Sequence, residues 1–148
     1  LIDFLTPDEY FAFTAKLYNK SEGDLNSFLE SMQEFFNGEI TGSGKLIRDL
    51  SKGNQKKTGI AAALLGDPQI LILDEPFTAL DPTSQIRLKR MLNELKRTRN
   101  MTMLISSHDL NHVTEVCERI VVLEKGLVVK DIATGEETLK ELESYFAV

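Results

Sequence analysis

The sequence predicts an α/β fold in which helices lead into a mainly parallel sheet, and three observations support this. Three short, continuous apolar runs, Ile70–Leu73, Met103–Ile105 and Ile120–Leu123, read as strands buried on both faces. Helical patterns separate these runs, and strands alternating with helices imply parallel pairing. The residues ahead of Ile70 carry helix and loop signals only.

The elements follow in order. Thr6-Pro7-Asp8-Glu9 combines a hydroxyl cap, a proline at the first helical position and a Glu three residues after the cap, so a helix starts at Pro7 and runs to about Asn19. Lys20–Gly23 reads as a turn. Asp24 is then expected to cap a second helix, with Leu25, Phe28, Leu29, Met32, Phe35 and Phe36 on one face and Gly38 ending it. A polar loop leads to Leu50-Ser51-Lys52-Gly53-Asn54-Gln55. The alanine- and leucine-rich stretch Ile60–Leu65 after it forms a third helix closed by Gly66. Thr83–Arg99, after Asp81-Pro82, and a shorter stretch from about Leu110 to Val116 are the helical spacers between strands. Lys125-Gly126 separates Ile120–Leu123 from Leu127–Val129 and predicts an antiparallel hairpin. Thr134-Gly135-Glu136-Glu137 is a second capping-box pattern, opening the last helix.

Composition narrows the function. The 148 residues are 42% hydrophobic and 27% charged, the balance of one globular unit. A net charge of −6 argues against a broad basic face for nucleic acid, because phosphate binding runs on Lys and Arg. The single cysteine, Cys117, has no partner for an intramolecular disulfide and no metal-ligand spacing around it, which fits a reducing, cytoplasmic setting. No apolar run approaches the roughly 20 residues of a membrane helix. The chain opens on Leu1 without a leader pattern, so the expectation is a piece cut from a longer protein.

Four segments carry the chemistry. Ile70-Leu71-Ile72-Leu73-Asp74-Glu75-Pro76 delivers two adjacent carboxylates to the C-terminal end of a buried strand, where ligands bind in open α/β sheets. Leu50-Ser51-Lys52-Gly53-Asn54-Gln55 places a hydroxyl and free amides at a helix N-terminus, an anion site, with Gly53 allowing close backbone approach. Ala79-Leu80-Asp81-Pro82 follows the acids, and Ser106-Ser107-His108-Asp109 returns a histidine to the same sheet edge. Each segment alone has a plain structural reading: solvated acids, a cap and turn, an Asp-Pro helix start, a structural histidine.

In this order and at these spacings the four segments resemble the ABC-type ATPases: the signature motif, the Walker B strand, the D-loop and the H-loop. The resemblance covers nearly the whole chain and implies a partial P-loop NTPase of ABC type. Residues 1–50 would be a helical subdomain, and residues 51–148 the signature helix with the Walker B half of a mainly parallel sheet. It further implies that Asp74 coordinates Mg²⁺, Glu75 activates water, His108 senses the γ-phosphate and Asp81 communicates between subunits. Ser51 and Gly53, supported by Gln55, would cap the γ-phosphate of ATP held by a second subunit in a head-to-tail dimer. Lys52 departs from the commonest Leu-Ser-Gly-Gly-Gln form; Leu-Ser-Lys-Gly is similar to exporter-like members. The implied partners are that second ATPase subunit and a transmembrane permease, with the chain cytoplasmic and peripheral at the inner membrane face. The apolar residues Phe4, Tyr10 and Phe11 are a candidate permease-docking surface, or else they pack the helical part's own core.

A P-loop requires Gly-x-x-x-x-Gly-Lys followed by Ser or Thr, so that glycine backbone wraps the phosphates and the hydroxyl meets Mg²⁺. Gly42-Ser43-Gly44-Lys45 resembles one. However, Glu39 takes the first glycine position, Leu46 takes the hydroxyl position and no strand precedes it, so it is a polar loop. The true P-loop is expected upstream of Leu1, leaving the isolated chain inactive. Two other readings stay open: an ABC-type ATPase of DNA maintenance or translation, and a non-catalytic interaction module. The pair Asp74-Glu75 speaks against the module.

Overall fold

The computed structural model describes residues 1–99 and 101–147. Helix α1, Pro7–Leu17, starts on the predicted capping box, with Thr6 accepting from the Glu9 amide and Glu9 returning to the Thr6 amide. Helix α2, Glu22–Ser31, begins three residues earlier than expected. Ser21 is the cap, and Asp24 serves as the reciprocating acid of a second capping box. The single second helix expected up to Gly38 is broken. A short α3, Gln33–Phe36, follows Met32 and stops where Asn37 and Gly38 both take positive φ. A 3₁₀ turn, Ile47–Asp49, leads into α4, Lys52–Leu65, capped by Ser51.

Strand β1, Ile70–Asp74, pairs in parallel with β2, Thr102–Ser106, with Ile70 opposite Thr102 and Asp74 opposite Ser106. Helix α5, Pro82–Thr98, crosses between them, starting at Asp81. Helix α6, Leu110–Val116, precedes β3, Arg119–Glu124, which pairs with β4, Leu127–Ala133, as the predicted antiparallel hairpin. Lys125 and Gly126 both have φ > 0, the requirement of a type I′ turn. Helix α7, Thr138–Phe146, starts later than the Thr134 box suggests. The Thr138 hydroxyl accepts from the Gly135 amide, and the Thr134 hydroxyl is buried without a partner.

Two expectations are corrected. The strand runs are not buried on both faces: Leu71 and Leu73 point into the core, whereas Ile70 and Ile72 are 66% and 69% exposed, because helices cover one face only. Nor does Ile120–Leu123 extend the parallel sheet; β3 pairs with β4 in a separate two-stranded sheet.

One core runs across residue 50. Phe11, Phe35, Phe36 and Ile40 of the helical part join Ile60, Ala61 and Leu64 of α4, Leu71 and Leu73 of β1, and Leu88 and Leu92 of α5. A second, smaller cluster holds Val113, Ile120, Val122 and Leu142, binding the hairpin to α6 and α7. Burial of the first cluster fixes α4 and α5 against one face of β1, which sets where the end of that strand lies relative to the α4 N-terminus.

Candidate functional site

The chain leaves β1 at Asp74 and turns at once, with Glu75 in the left-handed region at φ 46°. A non-glycine residue there is costly and is held only by its surroundings. The Glu75 amide donates to the Ser106 carbonyl at 3.2 Å and to the Ser106 hydroxyl at 3.1 Å. The same hydroxyl donates to Asp74 Oδ1. Ser106, opposite Asp74 in the register, therefore orients both acids: it fixes the Asp74 carboxylate directly and the Glu75 peptide through its amide.

His108, two residues past the end of β2, brings Nδ1 to 2.8 Å from Glu75 Oε1. Its ring is 78% exposed, and its pKa is raised above the ordinary histidine value by the hydrogen bond to Glu75 and by that carboxylate's charge. The structure thus brings Asp74, Glu75 and His108 together at one sheet edge, the C-terminal edge of the parallel pair. Beside them lies a groove of about 600 Å³ whose lining includes Lys52, Gln55, Lys56, Ile72, Asp74 and Ala79.

The turn at the start of α4 borders this groove. The Ser51 hydroxyl accepts from the Asn54 amide at 3.1 Å and so caps the helix. Gly53 is pressed against the loop after Glu75: a Cβ on it would lie 2.6 Å from the Ala79 carbonyl oxygen. The close approach that requires glycine is therefore made within the chain, and the ligand-side reason given by sequence is not the only one. Gln55 also has an internal role, because its amide donates to the Leu50 carbonyl at 3.0 Å and the Arg48 carbonyl at 3.3 Å, tying the 3₁₀ turn to the helix. Lys56, which sequence reasoning passed over, donates to the Glu75 carbonyl and to the Thr78 hydroxyl. Gly53, Lys56 and Ile60 share one helix face, but that spacing alone does not mark Lys56 as a partner of Glu75.

Asp81 caps α5 through the Ser84 amide at 3.0 Å and also accepts from the Ser84 hydroxyl. Those two bonds hold its carboxyl below the usual aspartate range, and the charge of Lys57 contributes. Gly42-Ser43-Gly44-Lys45 is a loop with Gly42 and Gly44 at positive φ and its Gly42 amide on Asp8, as its departures from the P-loop pattern indicated. Of the candidate docking residues, Phe11 is fully buried, stacked on Phe36 with centroids 5.7 Å apart, and Tyr10 packs partly buried against the core. Only Phe4, 65% exposed, lies open.

Asp74 offers one carboxylate, oriented by Ser106. Among the described residues, no three His, Cys, Asp or Glu side chains gather into a metal cage. Mg²⁺ is typically held by one or two carboxylates together with substrate phosphates and water, and a single oriented aspartate fits that donor set.

A family model described as "AAA domain, putative AbiEii toxin, Type IV TA system" matches residues 9–113. The uncharacterized ABC transporter ATP-binding protein YhaQ of Bacillus subtilis is 42% identical over 102 residues, which are 69% of this chain and 32% of that protein. A solved structure of an ATP-binding subunit of an ABC transporter superposes with a TM-score of 0.80 at 28% identity, over 97% of this chain and 58% of that one. The dimeric, post-hydrolysis ATP-binding cassette MJ0796 bound to ADP and Pi superposes with a TM-score of 0.77 at 25% identity, over 91% of this chain and 59% of that one. The chain spans less than half the length of the curated relatives it matches. Matched by that model over most of its length, the chain belongs to the AAA-domain family, and in sequence and fold it is similar to part of the ATP-binding proteins of ABC transporters.

Proposed function

We propose that this chain supplies the water-activating and partner-facing groups of an ATPase that drives an ABC transporter. The observation that carries this reading is the convergence of Asp74, Glu75 and His108 at one strand edge, with Glu75 held in a left-handed turn and His108 Nδ1 2.8 Å from its carboxylate. Glu75 is the base: its carboxylate accepts a proton from the attacking water as the water oxygen bonds to the γ-phosphorus and the bond to the departing diphosphate breaks. His108 orients that carboxylate and contacts the γ-phosphate. Asp74 is the residue that would hold Mg²⁺, which supplies charge neutralisation on the phosphates.

Ser51 and Gly53, at the N-terminus of α4, serve ATP held by a second subunit in a head-to-tail dimer. Gln55 contributes by fixing the geometry of that turn, and Asp81 relays between the subunits. MJ0796, a structural neighbour, is described as a dimer, and this supports the arrangement. Residues 1–50 act as the helical subdomain toward a transmembrane permease, and residues 51–148 as the signature and Walker B part. Among the described residues no helix is long and apolar enough to cross a membrane, in keeping with a cytoplasmic subunit bound peripherally through that permease.

The test is turnover by the full-length protein carrying this chain: Glu75→Gln abolishes hydrolysis while ATP binding persists, and undiminished turnover refutes the reading. The 148 residues alone contain no Gly-x-x-x-x-Gly-Lys-Ser/Thr, and the expectation is that they neither bind MgATP tightly nor hydrolyse it. Micromolar binding in a calorimetric titration of this chain contradicts that.

A further inference from the structure

We propose that Lys56 is a positioning residue that couples the first turn of α4 to the carboxylate of Glu75 in the same subunit. This rests on the reading of Glu75 as the water-activating base and adds a route by which the partner-facing turn acts on it.

Glu75 cannot hold its left-handed conformation unaided; its peptide is fixed from two sides. From β2, Ser106 takes the Glu75 amide. From α4, the Lys56 ammonium donates to the Glu75 carbonyl, a charge-assisted bond, and also to the Thr78 hydroxyl, which itself donates to that carbonyl at 2.8 Å. The Thr78 amide closes the same turn at 3.3 Å. Lys56 is therefore the one side chain from the helix that reaches this turn, among the hydrogen bonds of the described residues.

Its position on the helix gives the contact its meaning. Lys56 lies one turn beyond Gly53, and Gly53 itself abuts the Ala79 carbonyl at the far end of the loop. Ala79, like Glu75, has positive φ, at 62°. The loop 75–79 thus has its two left-handed residues each held against α4, one by a lysine and one by backbone packing. A shift of the α4 N-terminus, where Ser51 and Gly53 sit, drags both ends of the loop, and with them the direction of the Glu75 side chain. Anion capture at Ser51 and Gly53 then sets the aim of Glu75 in its own subunit without passing through Asp81.

The experiment uses the full-length protein carrying this chain. Lys56→Met removes the ammonium and keeps the bulk. The expected result is a fall in kcat of about tenfold to a hundredfold, the range that misplacing a catalytic group by about 1 Å produces. The KM for ATP, and ATP-driven dimerisation measured in a Glu75→Gln background, stay unchanged. Full turnover in Lys56→Met overturns the proposal, as does a loss of turnover matched by a loss of dimerisation, which would assign Lys56 to the nucleotide contact. Where Lys56→Met does not fold, Thr78→Val decides on the same two readouts, since it removes the hydroxyl shared by Lys56 and the Glu75 carbonyl. Glu75→Gln alone separates the two levels: if it retains turnover, the role of Glu75 fails irrespective of what Lys56 does.

Discussion

Helix α4 contains a matched pair of glycines whose replacement by alanine should act in opposite directions. In helix interiors alanine is favoured over glycine by about 0.8–1.0 kcal/mol. At Gly59 a new Cβ meets only the Leu1 side chain, at 3.6 Å, an ordinary contact. Gly59→Ala is therefore expected to stabilise by about 0.5–1 kcal/mol. At Gly53 the same methyl falls 2.6 Å from the Ala79 carbonyl oxygen. That atom is backbone, in a loop pinned by Lys56 and followed by the buried Leu80, and it has little room to yield. Forced overpacking costs about 1–3 kcal/mol, and the propensity gain in the first turn offsets only part of it. Gly53→Ala is thus expected to destabilise by about 1–2 kcal/mol, putting the two variants roughly 1.5–3 kcal/mol apart. Urea titration with unchanged m-values measures this directly as opposite shifts of the midpoint. A Gly53→Ala protein as stable as the parent, or one that moves with Gly59→Ala, refutes the internal packing account and leaves only a ligand-side reason for the glycine.

Two further expectations follow from titratable groups. His108 is protonated more readily in the folded chain because of Glu75, so its NMR titration midpoint lies above the ordinary value of about 6.5 and falls back toward it in Glu75→Gln. Since the folded pKa is the higher one, whatever stability the pair adds is complete below the ordinary histidine value and disappears as pH rises through the raised one. Burial pushes the Cys117 thiol up, so iodoacetamide at pH 8 should modify it more slowly than a free thiol and at the free rate once the chain is unfolded in denaturant.

Much of the fold could be read from local chemistry. The Thr6 box, the Asp81-Pro82 start of α5 and the Lys125-Gly126 turn use bonds between residues a few positions apart, and all three form as expected. The misses involve choices between near neighbours or contacts between distant segments. Ser21 and Asp24 both have cap chemistry, and only the reciprocal box decides which is the cap. An apolar run such as Ile70–Leu73 does not state whether one face or two will be covered, and here Ile70 and Ile72 stay open. In the site, the motif residues Asp74, Glu75 and His108 were evident, whereas Ser106 and Lys56 were not. A serine or lysine that bonds across a long sequence separation carries no mark in its own neighbourhood.

The left-handed turn at Glu75 sets the demands of catalysis against those of folding. An L-residue in that conformation costs about 1–2 kcal/mol, and glycine or asparagine relieves most of it. The chain therefore carries a backbone cost at the carboxylate assigned as the base, and random substitution there has a downhill direction in stability that leads away from activity. Variants recovered by selecting for thermal resistance alone should drift toward small or amide side chains at position 75 and lose turnover on the way. Glu75→Gln, which preserves both the branching pattern and the backbone cost, is for that reason the substitution that isolates the carboxylate from the turn that presents it.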